Sequence, residues 1–464
     1  MRHVTFFIVT VLLAAVSLPL HAHFANGIKV GEVDQNSAIV WTRLTLNPTI
    51  KMDGTAFIDA GQHVVPATRQ LPEGKELADM EGAVPGKAGF VRISWRKAGE
   101  APVVADWMEV GSKTDYTCRT KLNGLEANTR YIVTVESKDG ASFEGSFKTA
   151  PAVNEEKAIT FAVVTCQDYK RRDAGMNGHK IYKTLDLMDP DFLVNTGDIE
   201  YYDKPLPYAT SLEFARFKMS RIYGLFNQME FHRDTASYFI KDDHDTTKND
   251  AWPGQAYGDL TWNQGLNLFR EHFPVLKNNY RTIRWGKDLQ IWLVEGRDFR
   301  SSNKQPDGPD KTIWGKEQKN WFFRTVKKSD ATFKVLISPT PVVGPDRENK
   351  NDNHANKGFK HEGDEIRKFI AKQDNMFVTC GDRHWQYVSV DAETGVKEFA
   401  SGSSSHQHAS GWKQENFLPE HRYLNVQGGF LTITVERKDG KPVLIARHYD
   451  VDGNISNEDV NWAE

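Results

Sequence analysis

The apolar and polar positions follow two different rhythms along this chain. Between residues 28 and about 151 short stretches alternate with a period of two, at 28–33, 38–44, 90–95, 107–110, 116–122, 130–136 and 140–149. Successive side chains of a strand point to opposite faces, so short alternating runs broken by turn residues predict two antiparallel sheets packed face to face, a β-sandwich. From Ala158 the apolar runs become continuous. A buried-type strand at 159–165 is followed by a helical stretch at 178–188 and another apolar run at 192–194. Strand, helix, strand is a parallel crossover, which predicts an α/β domain. Further helices are expected at 211–228, 260–272, 316–326 and 363–371, and further strands at 237–240, 290–294, 333–338, 376–379 and 386–390. The stretches 430–436 and 443–449, joined through Asp439-Gly440, read as a closing hairpin.

Composition narrows the class. With 464 residues, 39% hydrophobic and 26% charged, the chain is long enough for two or three globular domains. A net charge of -3 with both signs interspersed offers neither a nucleic-acid footprint nor a polybasic membrane patch, which leaves a small molecule as the expected partner. Residues 1–22 read as a signal peptide: Arg2 and His3 open it, an apolar core covers 6–16, and Ala22 supplies the small residue at the cut. The expected organisation is therefore 1–22 signal peptide, 23–151 sandwich and 152–464 α/β domain. The mature protein would be exported, periplasmic or extracellular, with no transmembrane segment. Its oligomeric state is not legible. Three cysteines, Cys118, Cys166 and Cys380, leave at least one thiol unpaired. Outside the cell a free thiol is protected by burial or by a metal, which points to one of the three as a ligand.

Four predicted strands end in groups that bind metals. The strand at 159 runs into Cys166-Gln167-Asp168, the strand at 192 into Gly197-Asp198-Ile199-Glu200-Tyr201, the strand at 237 into Asp242-Asp243-His244-Asp245, and the strand at 376 into Gly381-Asp382-Arg383-His384. Ligands of an α/β sheet bind at the carboxyl ends of its strands, so these segments are expected to converge. Carboxylates gathered that closely repel one another unless cations lie between them. Thiolate, phenolate, carboxylate and imidazole together suit a redox-capable ion such as Fe3+, with oxygen-rich positions left for Ca2+ or a similar cation.

This set of segments resembles the PhoD-type alkaline phosphatases, within the wider metallophosphatase superfamily. The resemblance rests on the Cys-Gln segment, the Gly-Asp with Tyr three residues after the Asp, the Asp-Asp-His stretch and the late Gly-Asp-x-His. It is supported by Glu295-Gly296-Arg297-Asp298-Phe299-Arg300 and by the segment from Ala331 to Ser338. Leu122 to Tyr131 is similar to the corner before a late strand of fibronectin type III domains. The family resemblance implies a four-layer α-β-β-α domain behind a fibronectin- or Ig-like sandwich, and hydrolysis of phosphate esters with Fe3+ and Ca2+, Zn2+ or Mn2+ being alternatives. It implies Cys166, Asp198, Tyr201, Asp243, Asp382 and His384 as metal ligands, with Asp168, Asp242 and Asn249 as further ones. Asp245 departs from the glutamate usual in the family.

The chemistry expected of such a site is attack on phosphorus in line by a metal-generated hydroxide or oxide. His244 is the candidate for protonating the leaving oxygen, and Arg297 for a bidentate phosphate clamp, an ion pair with a neighbouring Asp being its other reading. His406 and His408 fall in a Ser-Gly-rich loop expected to be solvated, lining the mouth of the site being the other reading. Alternatives are a phospholipase-like diesterase acting on lipid or wall polymer, with Trp252, Tyr257 and Trp262 lining a groove, and a surface-binding protein without catalysis.

Overall fold

The computed structural model describes residues 21–60, 66–275 and 280–464. The expected signal peptide lies, but for its last two residues, outside the described residues. The first part of the chain is built from β1 (Ile28–Gly31), β2 (Ser37–Arg43), β3 (Gly89–Arg96), β4 (Val103–Val104), β5 (Met108–Val110), β6 (Thr117–Asn123), β7 (Arg130–Ser137) and β8 (Ser142–Lys148). A three-stranded sheet in the order β1-β2-β6 faces a five-stranded sheet formed around β3, β7 and β8. Alternate residues from both sheets, among them Val30, Val40, Leu122, Val91, Val133 and Phe147, are fully buried in a common core. Between β2 and β3 lies a long segment with no strand among its described residues. It places Ile50, Phe57, Met80 and Val84 against the helical side of the following domain, which periodicity could not foresee.

Beyond Pro151 the chain forms β9 (Ile159–Val164), α1 (Lys180–Met188), β10 (Phe192–Asn195), α2 (Leu212–Ile222), α3 (Phe226–Asp234), β11 (Ser237–Phe239), α4 (Trp262–His272), β12 (Arg281–Trp285), β13 (Leu289–Leu293), α5 (Gly315–Lys327), β14 (Phe333–Ser338), α6 (Lys360–Ile370), β15 (Met376–Cys380), β16 (Gln386–Val390), β17 (Lys397–Ser401), β18 (His421–Asn425), β19 (Gly429–Lys438), β20 (Lys441–Asp450) and β21 (Ile455–Trp462). Two mixed sheets result, six strands in the order β11-β10-β9-β19-β20-β21 and seven in the order β12-β13-β14-β15-β17-β16-β18. The expected α/β class and the four layers are present. In β9, Phe161 and Val163 enter the core shared with Ile291, Val335 and Phe399 of the facing sheet. The alternate residues Ala162 and Val164 meet Ile181 and Leu185 of α1 and Phe231 of α3. On the other side Trp292, Leu336 and Val378 pack against Phe322 and Val326 of α5 and Ile366 and Ile370 of α6. Each sheet is thus apolar on both faces, which is why its strands read as continuous apolar runs.

Two expectations are corrected. The single helix at 211–228 is two, because one straight helix cannot serve two cores. Phe214, Met219 and Ile222 of α2 face the cluster that holds Val84, whereas Phe231 of α3 faces β9 and α1. The chain turns between them at Gly224, where a Cβ would lie 2.9 Å from Val84 Cγ2. The closing hairpin is also a three-stranded meander: β21 was missed because its sequence, Ile-Ser-Asn-Glu-Asp-Val-Asn-Trp, is that of a polar sheet edge with no buried face.

The sandwich is fastened to the second domain by buried contacts. Tyr238 donates its hydroxyl to the Val33 carbonyl at 2.5 Å, Asn26 Nδ2 donates to Ser220 O at 2.7 Å, and Lys29 Nζ donates to His272 O at 3.0 Å.

Candidate metal centre

β9, β10 and β11 run parallel, in register Phe161–Phe192 and Leu193–Ser237, so their carboxyl ends finish side by side. β13, β14 and β15 do the same in the facing sheet. The two edges meet. Thr165 forms a parallel bridge with Ser403, and Asp382 N donates to Thr165 Oγ1 at 3.3 Å. At this junction the backbone must approach closely. A Cβ on Gly381 would stand 2.6 Å from Thr196 Oγ1, and one on Gly197 would stand 2.7 Å from Asp242 Cβ. Cys166, Asp198 and Asp382, each just beyond a strand, adopt left-handed φ angles of 54°, 52° and 64°. That conformation is unfavourable for residues with a Cβ and is concentrated at functional sites. Here it turns three potential ligands out of their sheets into a common space.

The side chains of that space converge. Tyr201 donates its hydroxyl to Asp198 Oδ2 at 3.2 Å and lies 3.3 Å from His384 Nε2, and the Cys166 thiol donates to the same Oδ2 at 3.6 Å. Three overlapping groups place their ligand atoms within 4.8 Å of one another: Cys166 with Asp198 and His384, Asp198 with Asp243 and His244, and Asp198 with Asp242 and Asp382. Asp198 is common to all three. Asp198 Oδ1, Asp242 Oδ2 and Asp243 Oδ1 are buried with no hydrogen-bond partner among the described residues. Buried carboxylate oxygens without partners are costly, and cations satisfy them, so this donor set fits metal ions.

The electrostatics agree. Burial pushes the Asp198 carboxyl well above its ordinary range, and Asp243, Asp242 and Asp245 add to the rise against the opposing pull of His244. Burial likewise raises the Cys166 thiol and the Tyr201 phenol, each pushed further by Asp198. Groups that resist ionisation in the protein alone are those whose anionic forms a bound cation stabilises. His244 is the exception. Burial lowers it, but Asp203, Asp243 and Asp198 together raise it to about 10. Its Nδ1 is held by Asp203 Oδ1 at 2.6 Å, and Asp203 Oδ2 accepts the Asn249 N–H at 2.9 Å.

The remaining expected residues are placed as follows. Asn249 reaches the site through that backbone N–H. Asp168 accepts from Lys170 N at 2.9 Å and faces Arg171 at 3.5 Å, outside the three groups of converging ligand atoms. Arg297 is fully buried, and its Nε donates to Asp242 Oδ1 at 2.5 Å, which is the ion-pair arrangement. Its Nη1 and Nη2 have no hydrogen-bond partner among the described residues. Asp245 accepts from Ile199 N (2.7 Å), Glu200 N (3.1 Å) and Asp242 N (3.0 Å), clamping the loop after β10 to the loop after β11. All three cysteines are buried and free. Tyr257 and Trp262 are buried in the fold rather than lining an open groove.

One expectation about the loop after β17 is overturned. His406 is exposed, but His408 is 2% exposed, its ring 4.1 Å from that of His384 and 5.2 Å from that of Tyr201, with its Nδ1 donating to the Cys166 carbonyl at 3.0 Å. Composition suggested a solvated loop, whereas Ser404 tethers it by donating to Thr165 O at 2.7 Å. Asp203 and Asp346 were also missed. Asp203 lies two residues beyond Tyr201 and Asp346 in a loop with no motif around it, and each enters the site through a partner distant in sequence.

Comparison with known proteins bears on the family and the fold. The model of the PhoD-like phosphatase family matches residues 161–434, and that of the PhoD-like phosphatase N-terminal domain matches residues 14–151. Alkaline phosphatase D of Bacillus subtilis (strain 168) is 22% identical over 419 residues, covering 79% of this chain; the chain spans 65% of that relative's length. Among solved structures, that of PhoD superimposes with a TM-score of 0.69 at 18% identity, covering 95% of this chain and 89% of the other. The purple acid phosphatase PPD1 from yellow lupin superimposes with a TM-score of 0.63 at 13% identity, covering 93% and 73%. Both share the fold, a two-sheet domain behind a β-rich one. The chain belongs to the PhoD-like phosphatase family.

Proposed function

We propose that this protein is an exported, metal-dependent hydrolase of small phosphate esters. Residues 1–22 would be its signal peptide, 23–151 a positioning domain and 152–464 the catalytic domain. The observation that carries the reading is the convergence of Cys166, Asp198, Tyr201, Asp243, Asp382 and His384 from four strand ends, with buried oxygens of Asp198 and Asp242 that have no hydrogen-bond partner among the described residues. Cys166, Asp198, Tyr201 and His384 offer the mixed sulfur, oxygen and nitrogen set that suits Fe3+, while Asp198, Asp242, Asp243 and Asp382 offer the all-oxygen set that suits Ca2+. When bound, such cations neutralise phosphate charge and make hydroxide available near neutral pH. His244, whose ring is oriented by Asp203, would hold a phosphate oxygen and give a proton to the leaving group. Arg297 balances Asp242 and Asp243, its Nη2 lying 3.6 Å from Asp243 Oδ1, and its Nη1 would remain for a phosphate oxygen.

The test is hydrolysis of p-nitrophenyl phosphate and of its bis ester by protein loaded with iron and calcium, before and after chelation. Hydrolysis lost on chelation and restored by the metals is expected, with a visible absorption band from the Tyr201 phenolate on Fe3+ that Tyr201→Phe abolishes. A colourless, metal-free preparation that still hydrolysed either ester would refute the proposal.

A further inference from the structure

The loop between β14 and α6 brings a second positive charge to the rim of the centre. Asp346 lies at its root and is split between two arginines. Its Oδ1 accepts from Arg383 Nη1 at 2.5 Å and lies 3.5 Å from Arg347 Nε, while its Oδ2 accepts from Asn353 Nδ2 at 2.7 Å. Arg383 is fully buried between Asp346 and Asp382. If Asp382 is committed to a cation, Asp346 is left as the carboxylate in direct contact with both guanidinium groups, with buried Asp352 acting on them from farther away.

Arg347 is the one of the pair that meets solvent, its side chain 34% exposed, and its Nε has no hydrogen-bond partner among the described residues. Neighbours on each side fix where it stands. The guanidinium carbon is 5.6 Å from the ring of Trp385, which in turn stacks on Trp412 at 5.3 Å. A Cβ added to Gly411 would lie 3.2 Å from Arg347 Nη1, so the backbone passes directly beside the guanidinium. The preceding residue, Ser410, donates its N–H to the His384 carbonyl at 3.3 Å. Arg347 therefore stands beside the segment bonded to His384, on an indole wall, sharing the carboxylate of Asp346 with Arg383. Lys350 of the same loop does not compete for this role, because its ammonium is held by Asp250 at 2.8 Å.

We propose that Arg347 forms a specificity subsite for a second phosphoryl group, carried on the leaving-group side of the ester. The inference rests on the hydrolase reading above. The substrate class it names is a phosphate ester whose alcohol bears another phosphate, held by the fork of the guanidinium rather than by the metals.

Matched substrates test it: terminal alkanediol monophosphates of several chain lengths and the corresponding bisphosphates, assayed with the metal-loaded protein. At one spacing or more the bisphosphate should be favoured in kcat/KM by about 10- to 100-fold, the worth of a hydrogen-bonded charge pair. Arg347→Gln should remove that preference and Arg347→Lys should keep part of it, at equal metal content and equal thermal midpoint. No preference in the wild type, or a preference unchanged in Arg347→Gln, would overturn the subsite. If neither p-nitrophenyl phosphate nor its bis ester is hydrolysed, the hydrolase reading fails. Calorimetric binding of matched mono- and bisphosphonates to wild type and Arg347→Gln then decides the subsite separately: tighter bisphosphonate binding lost in the variant sustains it, and equal binding overturns it.

Discussion

Asp198 and His244 show how much a single position depends on its setting. Both residue types are common after strands, and only burial and neighbours separate a ligand from a turn residue. Asp198 touches the thiol of Cys166 and the phenol of Tyr201 through one oxygen, while its other oxygen is buried with no hydrogen-bond partner among the described residues. Removing it leaves the remaining ligands with no shared anchor. Asp198→Ala is therefore expected to lose bound metal, measured by elemental analysis of protein dialysed against iron and calcium. Retention of the full wild-type complement would contradict the role given to it. Asp203 acts through another residue. It fixes the ring of His244 by a 2.6 Å contact while its second oxygen holds the Asn249 backbone. Asp203→Asn should keep the metals but lower kcat by about 10- to 100-fold, as removal of an orienting partner commonly does. A change in KM alone, with kcat intact, would show that the ring needs no such support.

At the scale of elements, the site is made by strand ends, and the strand ends are made by sequence patterns that could be read. The apolar runs at β9, β10 and β11 set Cys166, Asp198 and Asp243 just beyond the edge of one sheet, and the run at β15 sets Asp382 beyond the edge of the facing one; four strand ends are legible in the sequence, their division between two sheets is not. What could not be read is the material between strands. Asp346 binds Arg383 across 37 residues, Asp203 binds His244 across 41, and His408 reaches Cys166 across 242. Such pairings carry no periodicity, and the loops that make them look like any polar loop. The same holds for β21, whose polar edge sequence conceals a strand, and for the break at Gly224, which depends on Val84 of the sandwich domain. Gly381 gives this scale its test. A methyl group there meets Thr196 Oγ1 at 2.6 Å and the Pro339 carbonyl at 2.7 Å, both at the seam of the two sheets. Gly381→Ala is expected to cost about 1–3 kcal/mol by overpacking and to weaken metal retention with it. A urea titration that left the midpoint unmoved would mean that the seam yields freely.

For the whole molecule, the decisive feature is that two extensive sheets share one core, and a histidine lies inside it. His448 on β20 is fully buried. Its Nε2 donates to the Ala400 carbonyl of the facing sheet at 3.1 Å, and its ring lies 5.0 Å from that of Tyr423. Burial pulls its pKa down from 6.5 to about 4, against smaller opposing contributions from the Ala400 carbonyl and Asp459. The sign follows from proton counts. Between those two values the unfolded chain binds a proton on this ring that the folded chain does not, so stability falls as pH drops from about 6.5 toward 4 and is fully retained above 6.5. One group shifted that far corresponds to about 3 kcal/mol lost across the window. His448→Gln keeps a polar group of similar reach but cannot take up the proton. The variant should begin less stable than the wild type near pH 7.5, having a poorer fit to Ala400, yet lose less on acidification, so that the two urea midpoints approach each other near pH 4.5. His179, likewise buried and lowered to about 4, would still titrate and leave a residual slope in both proteins. Parallel pH profiles for wild type and variant would show that His448 is not what acid attacks first, and that the shared core opens elsewhere.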